Sequence, residues 1–140
     1  RTTDGTFMTY SIPANTLGST GKMLRMTAWG TCTLTGVADF SIIIGTASLV
    51  FSNTLTTDAI AWMAKTVIVS ASSSRIIYSY LYSVKAAGWN GDSISGDGRL
   101  GFKRTTSSDS TSSAIAVSYD GSAFAPDTVT QEGLLVEFLN

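Results

Sequence analysis

Apolar and polar residues alternate with period two along most of this chain, and this alternation constrains the fold more than any other feature. In RIIYSYLYSV at 75–84 it places every second residue on one face, namely Ile76, Tyr78, Tyr80, Tyr82 and Val84. Similar segments recur from TFMTYSI at 6–12 to GLLVEFL at 133–139, with stretches rich in Gly, Asp, Ser and Thr between them. Period-two alternation is typical of strands that turn one face toward a core. About eight short antiparallel strands and no convincing helix predict an all-β fold, a sandwich or a barrel.

One segment, TTDAIAWMAKTV at 56–67, also allows a helix. Thr57 or Asp58 could cap it, and one helical face would then carry Ile60, Met63, Ala64 and Val67. The β-branched run at 66–69 favours a strand, because branching at Cβ restricts side-chain rotamers in a helix. We therefore expect a strand over 61–71.

Composition narrows the classes of function. The 140 residues fit a single domain, which we expect to be one β-sandwich over 1–140. Charged residues make up 14% of the chain, against ~25% in typical soluble domains, and 40 residues are Ser or Thr. The longest basic cluster is Lys103-Arg104, which predicts no nucleic-acid partner. Apolar runs are too short to span a bilayer, so we expect no membrane insertion. Because Arg rather than Met stands first, we expect a piece of a longer chain.

The residue inventory also limits chemistry. The chain has no histidine and one cysteine, which excludes a Ser-His-Asp or Cys-His triad and a structural zinc site. A glycosidase needs two carboxylates about 5 to 10 Å apart. The only glutamates are Glu132 and Glu137, and most aspartates stand beside Gly, Ser or Thr, where they stabilise turns. We therefore predict no catalytic residues, no metal and no cofactor.

The loop GWNGDSISGDG at 88–98 is one candidate binding site. Trp89 could stack on a sugar ring while Asn90, Asp92 and Asp97 bond its hydroxyl groups. The same three oxygen-bearing residues could instead bind calcium, but the spacing departs from the calcium-loop pattern and no glutamate follows. The third interpretation is a long hairpin loop with Trp89 folded back over the edge of the sandwich.

Aromatic residues on strand faces form the second candidate. Tyr78, Tyr80 and Tyr82 share one face, which suits either a stacking platform for sugars or a subunit interface. Trp29 stands on the face of 22–32 that water should cover, and the strand containing Trp62 is apolar on both faces. Strands with two apolar faces are buried on both sides, by loops or by another subunit. We favour an oligomer interface at these five residues.

The block YSIPANTLGSTGKMLRMTAWGT at 10–31 resembles the opening of jelly-roll domains in bacteriophage tail fibres, tailspikes and related virion proteins. Gly45-Thr46, Trp62 and the closing LLVEFLN at 134–140 fit the same scheme. The resemblance implies a jelly-roll-like β-sandwich that is usually trimeric and serves as a structural or receptor-facing module of the virion. It carries over no catalytic residues.

These observations lead to one expected function and two alternatives. We expect a homotrimeric appendage domain on the virion surface that contacts other virion proteins and, as a candidate receptor, host cell-surface polysaccharide or lipopolysaccharide. The first alternative is a carbohydrate-binding module of a secreted polysaccharide-active enzyme, and the second is a capsid decoration or head-spike protein. An enzyme ranks below all three.

Overall fold

The computed structural model describes residues 5–36, 38–55, 59–71, 74–85, 100–107, 114–122 and 128–139. Within these ranges the chain forms ten strands and no helix. The strands are β1 (Gly5–Ile12), β2 (Met23–Thr33), β3 (Ala38–Ile44), β4 (Ala47–Leu55), β5 (Ala59–Ser70), β6 (Arg75–Lys85), β7 (Leu100–Ser107), β8 (Ile115–Ser122), β9 (Thr128–Val129) and β10 (Gly133–Leu139).

Two antiparallel sheets are stacked against each other. The smaller sheet has four strands in the order β1-β8-β3-β4. The larger sheet has six strands, in the order β10-β2-β5-β6-β7 with β9 also paired to β2. The chain crosses between the sheets five times, after β1, β2, β4, β7 and β8. Non-consecutive strands therefore become neighbours in both sheets, as in jelly rolls.

The core lies between the inner faces of the two sheets. Trp62 on β5 packs against Phe40 on β3, with ring centroids 4.7 Å apart. Beside them the Tyr119 hydroxyl on β8 donates a hydrogen bond to Thr66 Oγ1 on β5 at 3.3 Å. Burial raises the pKa of Tyr119 to about 12, because the phenolate would lose its hydration. Thr66 Oγ1 also lies 3.1 Å from Ser79 Oγ, so the buried hydroxyls satisfy one another.

The segment between β9 and β10 is fastened tightly across β2. The indole Nε1 of Trp62 donates to the carbonyl oxygen of Thr130 at 2.9 Å. Gly30 lies directly beneath that carbonyl, and a Cβ on Gly30 would overlap it. The backbone N–H of Thr130 in turn donates to the Thr31 carbonyl at 2.9 Å. A glycine is needed at position 30 because two backbones approach each other closely.

The predicted all-β, jelly-roll-like sandwich is confirmed, with ten strands where about eight were expected. The hairpin around Gly45-Thr46 is present, and Gly45 has a φ of 56°, the left-handed conformation that a tight turn requires. The alternative helix at 56–67 is wrong where the structure describes it, because residues 59–70 form β5. Pairing with β2 and β6 along both edges fixes this segment as a strand.

Candidate functional site

The outer face of the larger sheet concentrates the exposed apolar surface. Eight large hydrophobic side chains are exposed among the described residues. Six of them lie on this outer face: Trp29, Met63, Tyr80, Tyr82, Phe102 and Leu135. We call these six residues the aromatic face. Monomeric proteins rarely expose a contiguous apolar surface of this kind unless something binds there.

Strand register brings these side chains together, because residues directly opposite in antiparallel strands share one face. One row across the sheet consists of Gly133, Trp29, Met63 and Tyr82. The adjacent row consists of Leu135, Thr27, Lys65, Tyr80 and Phe102. The aromatic face therefore extends from β10 at one edge of the sheet to β7 at the other.

Trp29 is held on the surface by a glycine in the neighbouring strand. Gly133 on β10 is paired with Trp29, and a Cβ on Gly133 would overlap the atoms of the indole ring. The ring therefore lies over the Gly133 backbone while 41% of the residue remains exposed. This arrangement presents one face of the indole at the surface of the sheet.

Three aromatic rings form a cluster at the β6–β7 end. Phe102 contacts Tyr80 with ring centroids 4.9 Å apart, and it stacks on Tyr78 at 6.4 Å. The guanidinium of Arg104 lies 5.9 Å from the centroid of the Tyr78 ring, a cation–π distance. Phe102 is 52% exposed despite these contacts. The cluster offers flat faces to a partner molecule.

A shallow depression of about 230 Å³ lies at the centre of the aromatic face. Its lining residues are Met63, Lys65, Tyr80 and Tyr82. The lining is apolar apart from the Lys65 ammonium and the tyrosine hydroxyls. The depression is smaller and more open than a typical ligand pocket of about 300–1,000 Å³, so it offers contact to one ring of a partner molecule and does not enclose a whole ligand.

One ion pair borders the aromatic face. Arg25 donates two hydrogen bonds to Glu137, Nε to Oε2 and Nη2 to Oε1, both at 2.8 Å. These charge-assisted bonds hold the pKa of Glu137 below its ordinary value; burial opposes this lowering, and Lys65 adds to it. Among the described residues neither Lys65 nor Arg104 forms an ion pair within 4.0 Å, although Lys65 is close enough to Glu137 to favour its charged form.

The edge strand β10 bears further exposed groups. Phe138 is 48% exposed although it lies opposite the buried Leu24. Thr130 and Glu132 lie just before β10 and contact Thr31 on β2. The Thr31 Oγ1 hydroxyl donates to Glu132 Oε1 at 3.0 Å and lies 2.8 Å from Thr130 Oγ1. This edge therefore combines apolar and acidic surface.

The structure places four of the five residues predicted to form an interface on the outer face of the larger sheet, and three of these four are exposed. Trp29, Tyr80 and Tyr82 are exposed on the aromatic face, and Tyr78 is half-buried beneath Phe102 and Arg104. Trp62 does not belong to this face, because its side chain is 2% exposed and packs in the core. The interface prediction is therefore carried forward without Trp62.

The predicted loop site at Trp89, Asn90, Asp92 and Asp97 lies outside the described residues. Within the described part of the chain, no three His, Cys, Asp or Glu side chains are grouped so that they could hold a metal ion. The same residues include no helix of the length and apolar character needed to cross a membrane.

The sequence analysis missed Met63, Phe102 and Leu135 as members of the aromatic face. The alternation in 61–71, 99–104 and 133–139 assigns each of these residues to one face of its own strand. Only the pairing of β10, β2, β5, β6 and β7 shows that these separate faces form one surface.

Comparison with known proteins identifies no relative, so a function must be argued from the fold and the aromatic face. No protein-family model matches the chain. No curated protein and no solved structure matches it either.

Proposed function

We propose that this chain is a structural and receptor-facing domain of a bacteriophage virion appendage, a tail fibre or tailspike, that assembles as a homotrimer on the particle surface. The observation that carries the proposal is the aromatic face, with six large apolar side chains exposed side by side. Tyr, Trp, Phe and Met are the residue types enriched in subunit interfaces. The resemblance of residues 10–31 to appendage jelly rolls supplies the virion context.

The burial of Trp29, Tyr80 and Phe102 between subunits accounts for features that a monomer leaves unexplained. Each of the three rings exposes between 41% and 52% of its residue surface. Aromatic side chains placed in a dry interface contribute strongly to association. The low charge of the chain, with 14% charged residues, agrees with a surface that is largely covered in the assembly.

Sedimentation velocity of the whole chain at micromolar concentration tests the proposal. A trimer sediments with three times the chain mass of 14.7 kDa. A species with the mass of one chain at that concentration would refute the proposed assembly.

The receptor-facing part of the proposal concerns the loop at 88–98. Strand faces are used by the core and by subunit packing, which leaves loops for recognition. Trp89→Ala should weaken binding to host-cell polysaccharide or lipopolysaccharide several-fold, since a lost stack costs about 0.5–1.5 kcal/mol. The trimer mass should stay the same. Unchanged binding by an intact trimer would remove this loop as the receptor site.

A carbohydrate-binding module of a secreted polysaccharide-active enzyme is the second candidate. The observation that favours it is the depression between Met63, Lys65, Tyr80 and Tyr82, whose tyrosine rings suit a sugar face. This candidate predicts a monomer that binds polysaccharide and loses binding in Tyr82→Ala. Sedimentation with and without polysaccharide separates it from the trimer.

A further inference from the structure

Charges on the larger sheet are separated between its two sides. Both glutamates of the chain lie on the β10 side, where Arg25 neutralises Glu137 and Glu132 remains exposed. Two exposed cations lie on the outer face away from β10: Lys65 on β5 and Arg104 on β7. Lys103 does not belong to this face, because its Nζ lies 6.0 Å from the centroid of the Phe51 ring in the smaller sheet. The β10 side of the sheet thus carries one exposed acid, and the β5–β7 part of the outer face carries two exposed cations.

Apolar surface is also present at both sides. At the β10 edge, Leu135 is exposed on the outer side of the strand and Phe138 on the core-facing side. Phe138 is exposed because the larger sheet has no strand beyond β10 among the described residues. On the basic side, Tyr80 and Tyr82 line the depression and Phe102 projects beside them.

We propose that the β10 edge of one subunit docks on the β5–β7 part of the aromatic face of the next subunit, with Phe138 seated in the depression lined by Met63, Lys65, Tyr80 and Tyr82. This inference rests on the proposed homotrimer and names the surface that meets the aromatic face. Glu132 of the docking edge then approaches the cationic side of the sheet. Aromatic anchors seated in a partner's depression are typical of the energetically important positions in interfaces.

Charge disfavours contact of the aromatic face with itself. A two-fold contact would bring Lys65 and Arg104 of both copies into one dehydrated interface, where the nearby carboxylate of Glu137 is already bonded to Arg25. Like charges placed together in an interface oppose association. Contact between acidic edge and basic face avoids this repulsion and is also steered by the opposite charges.

Geometry favours an edge over the smaller sheet as the partner surface. The outer face of the smaller sheet lies on the opposite side of the sandwich from the aromatic face. Stacking those two faces would line subunits up in an open row. A contact between an edge and a face turns each subunit relative to the last, and such a heterologous contact closes into a ring when the rotation permits.

Two variants of the whole chain test the inference in combination. The face variant carries Lys65→Glu and Tyr80→Ser, and the edge variant carries Phe138→Ser. Each variant alone should sediment as a monomer, because every contact between two copies of it would require the surface that its substitutions have altered. Mixed in equal amounts they should form a heterodimer, because the intact edge of the face variant still docks on the intact face of the edge variant.

Glu132→Lys provides a second edge variant that changes only an exposed charge, so its folding is not at risk from a lost core contact. It should weaken self-association at low salt at least ten-fold, and less at high salt. Circular dichroism and thermal melting verify that each variant is folded. If Phe138→Ser unfolds the chain, Glu132→Lys decides in its place.

The outcomes separate this inference from the proposed function. A folded edge variant that stays trimeric, or two folded monomeric variants that form no heterodimer, would overturn the edge-to-face contact and leave the trimer itself standing. A folded face variant that stays trimeric would overturn both the contact and the role of the aromatic face. A wild-type monomer would overturn the proposed assembly.

Discussion

The two sheets bury similar inner faces but present different outer faces to their surroundings. Among the side chains that the structure describes, the larger sheet exposes six large apolar ones on its outer face, whereas the smaller sheet exposes one, Val50. The rest of the smaller sheet's outer face consists mainly of small or hydroxyl-bearing residues, including Thr9, Ser11, Ser41, Ser48, Ala116 and Ser118. The inner faces of both sheets pack into the same core, so folding does not require the outer faces to differ. The difference is explained if water covers one outer face and a subunit covers the other.

The largest expected effect comes from the core that both sheets share. Trp62→Ala should lower the free energy of unfolding by about 3–5 kcal/mol, because it removes a buried ring from between the sheets and leaves a cavity. Trp29→Ala is the matched control and, for dissociated single chains, should cost less than half as much, because its ring lies on the exposed face. The comparison is made on single chains because subunit association adds to the free energy of unfolding. Guanidinium unfolding followed by circular dichroism measures both. Equal losses would show that Trp29 supports the subunit fold as much as Trp62 does.

The next prediction concerns substitutions that make the outer face of the larger sheet as polar as that of the smaller sheet. The double variant Tyr80→Ser with Phe102→Ser should weaken trimer association by about 2–4 kcal/mol, the range of central aromatic residues in interfaces. Val50→Ser removes an exposed apolar side chain from the smaller sheet and should leave association unchanged. Sedimentation over a concentration series gives both dissociation constants. A comparable weakening by Val50→Ser would abolish the distinction between the faces.

Two glycines sharpen the comparison of the interior with the surface. Gly30→Ala should lower the free energy of unfolding by about 1–3 kcal/mol, because its Cβ would overlap the backbone carbonyl of Thr130. Gly133→Ala should cost less, since its Cβ would meet the Trp29 ring, which can move outward into solvent. Displacement of the ring should change the intrinsic tryptophan fluorescence. The reverse order of stability would contradict these contacts.

The smallest effect concerns the ion pair of Arg25 with Glu137. Because the folded-state pKa of Glu137 is lowered, the stability that this carboxylate contributes is present above its ordinary pKa of 4.5 and is lost as the pH falls through the folded value. Glu137→Gln should remove this part of the acid dependence. Thermal melting between pH 3 and pH 7 compares the two chains. The wild type should lose more stability than Glu137→Gln below about pH 4.5, and parallel curves would be evidence against the bond.

The alternation in β2, β5 and β6 was sufficient to predict these strands, because residue spacing alone assigns side chains to two faces. It could not decide which face of β5 is buried, since Met63, Val67 and Val69 are as apolar as Trp62, Ala64 and Ile68. The choice is made by the other sheet, where Phe40 provides the contact for Trp62. For the same reason the sequence did not show that Trp62 lies in the core and Trp29 on the surface.

The aromatic face as a single surface depends on long-range pairing. Phe102 and Tyr80 are 22 positions apart in the chain, and only the antiparallel register of β6 and β7 makes them neighbours. Leu135 reaches the same surface through β10, from near the end of the chain. The two-residue strand β9 was also missed, because no periodicity can be recognised in so short a segment.

The burial of Cys32 makes the chain convenient for spectroscopy. It is the only cysteine, it lies in the core, and burial raises its thiol pKa to about 11. Almost no thiolate is present at neutral pH, so maleimide dyes should leave this residue unmodified. A cysteine introduced at Val50 would then be the sole reactive thiol in each subunit. If the proposed trimer forms, distances between dyes attached there would report directly on how far apart its smaller sheets are held.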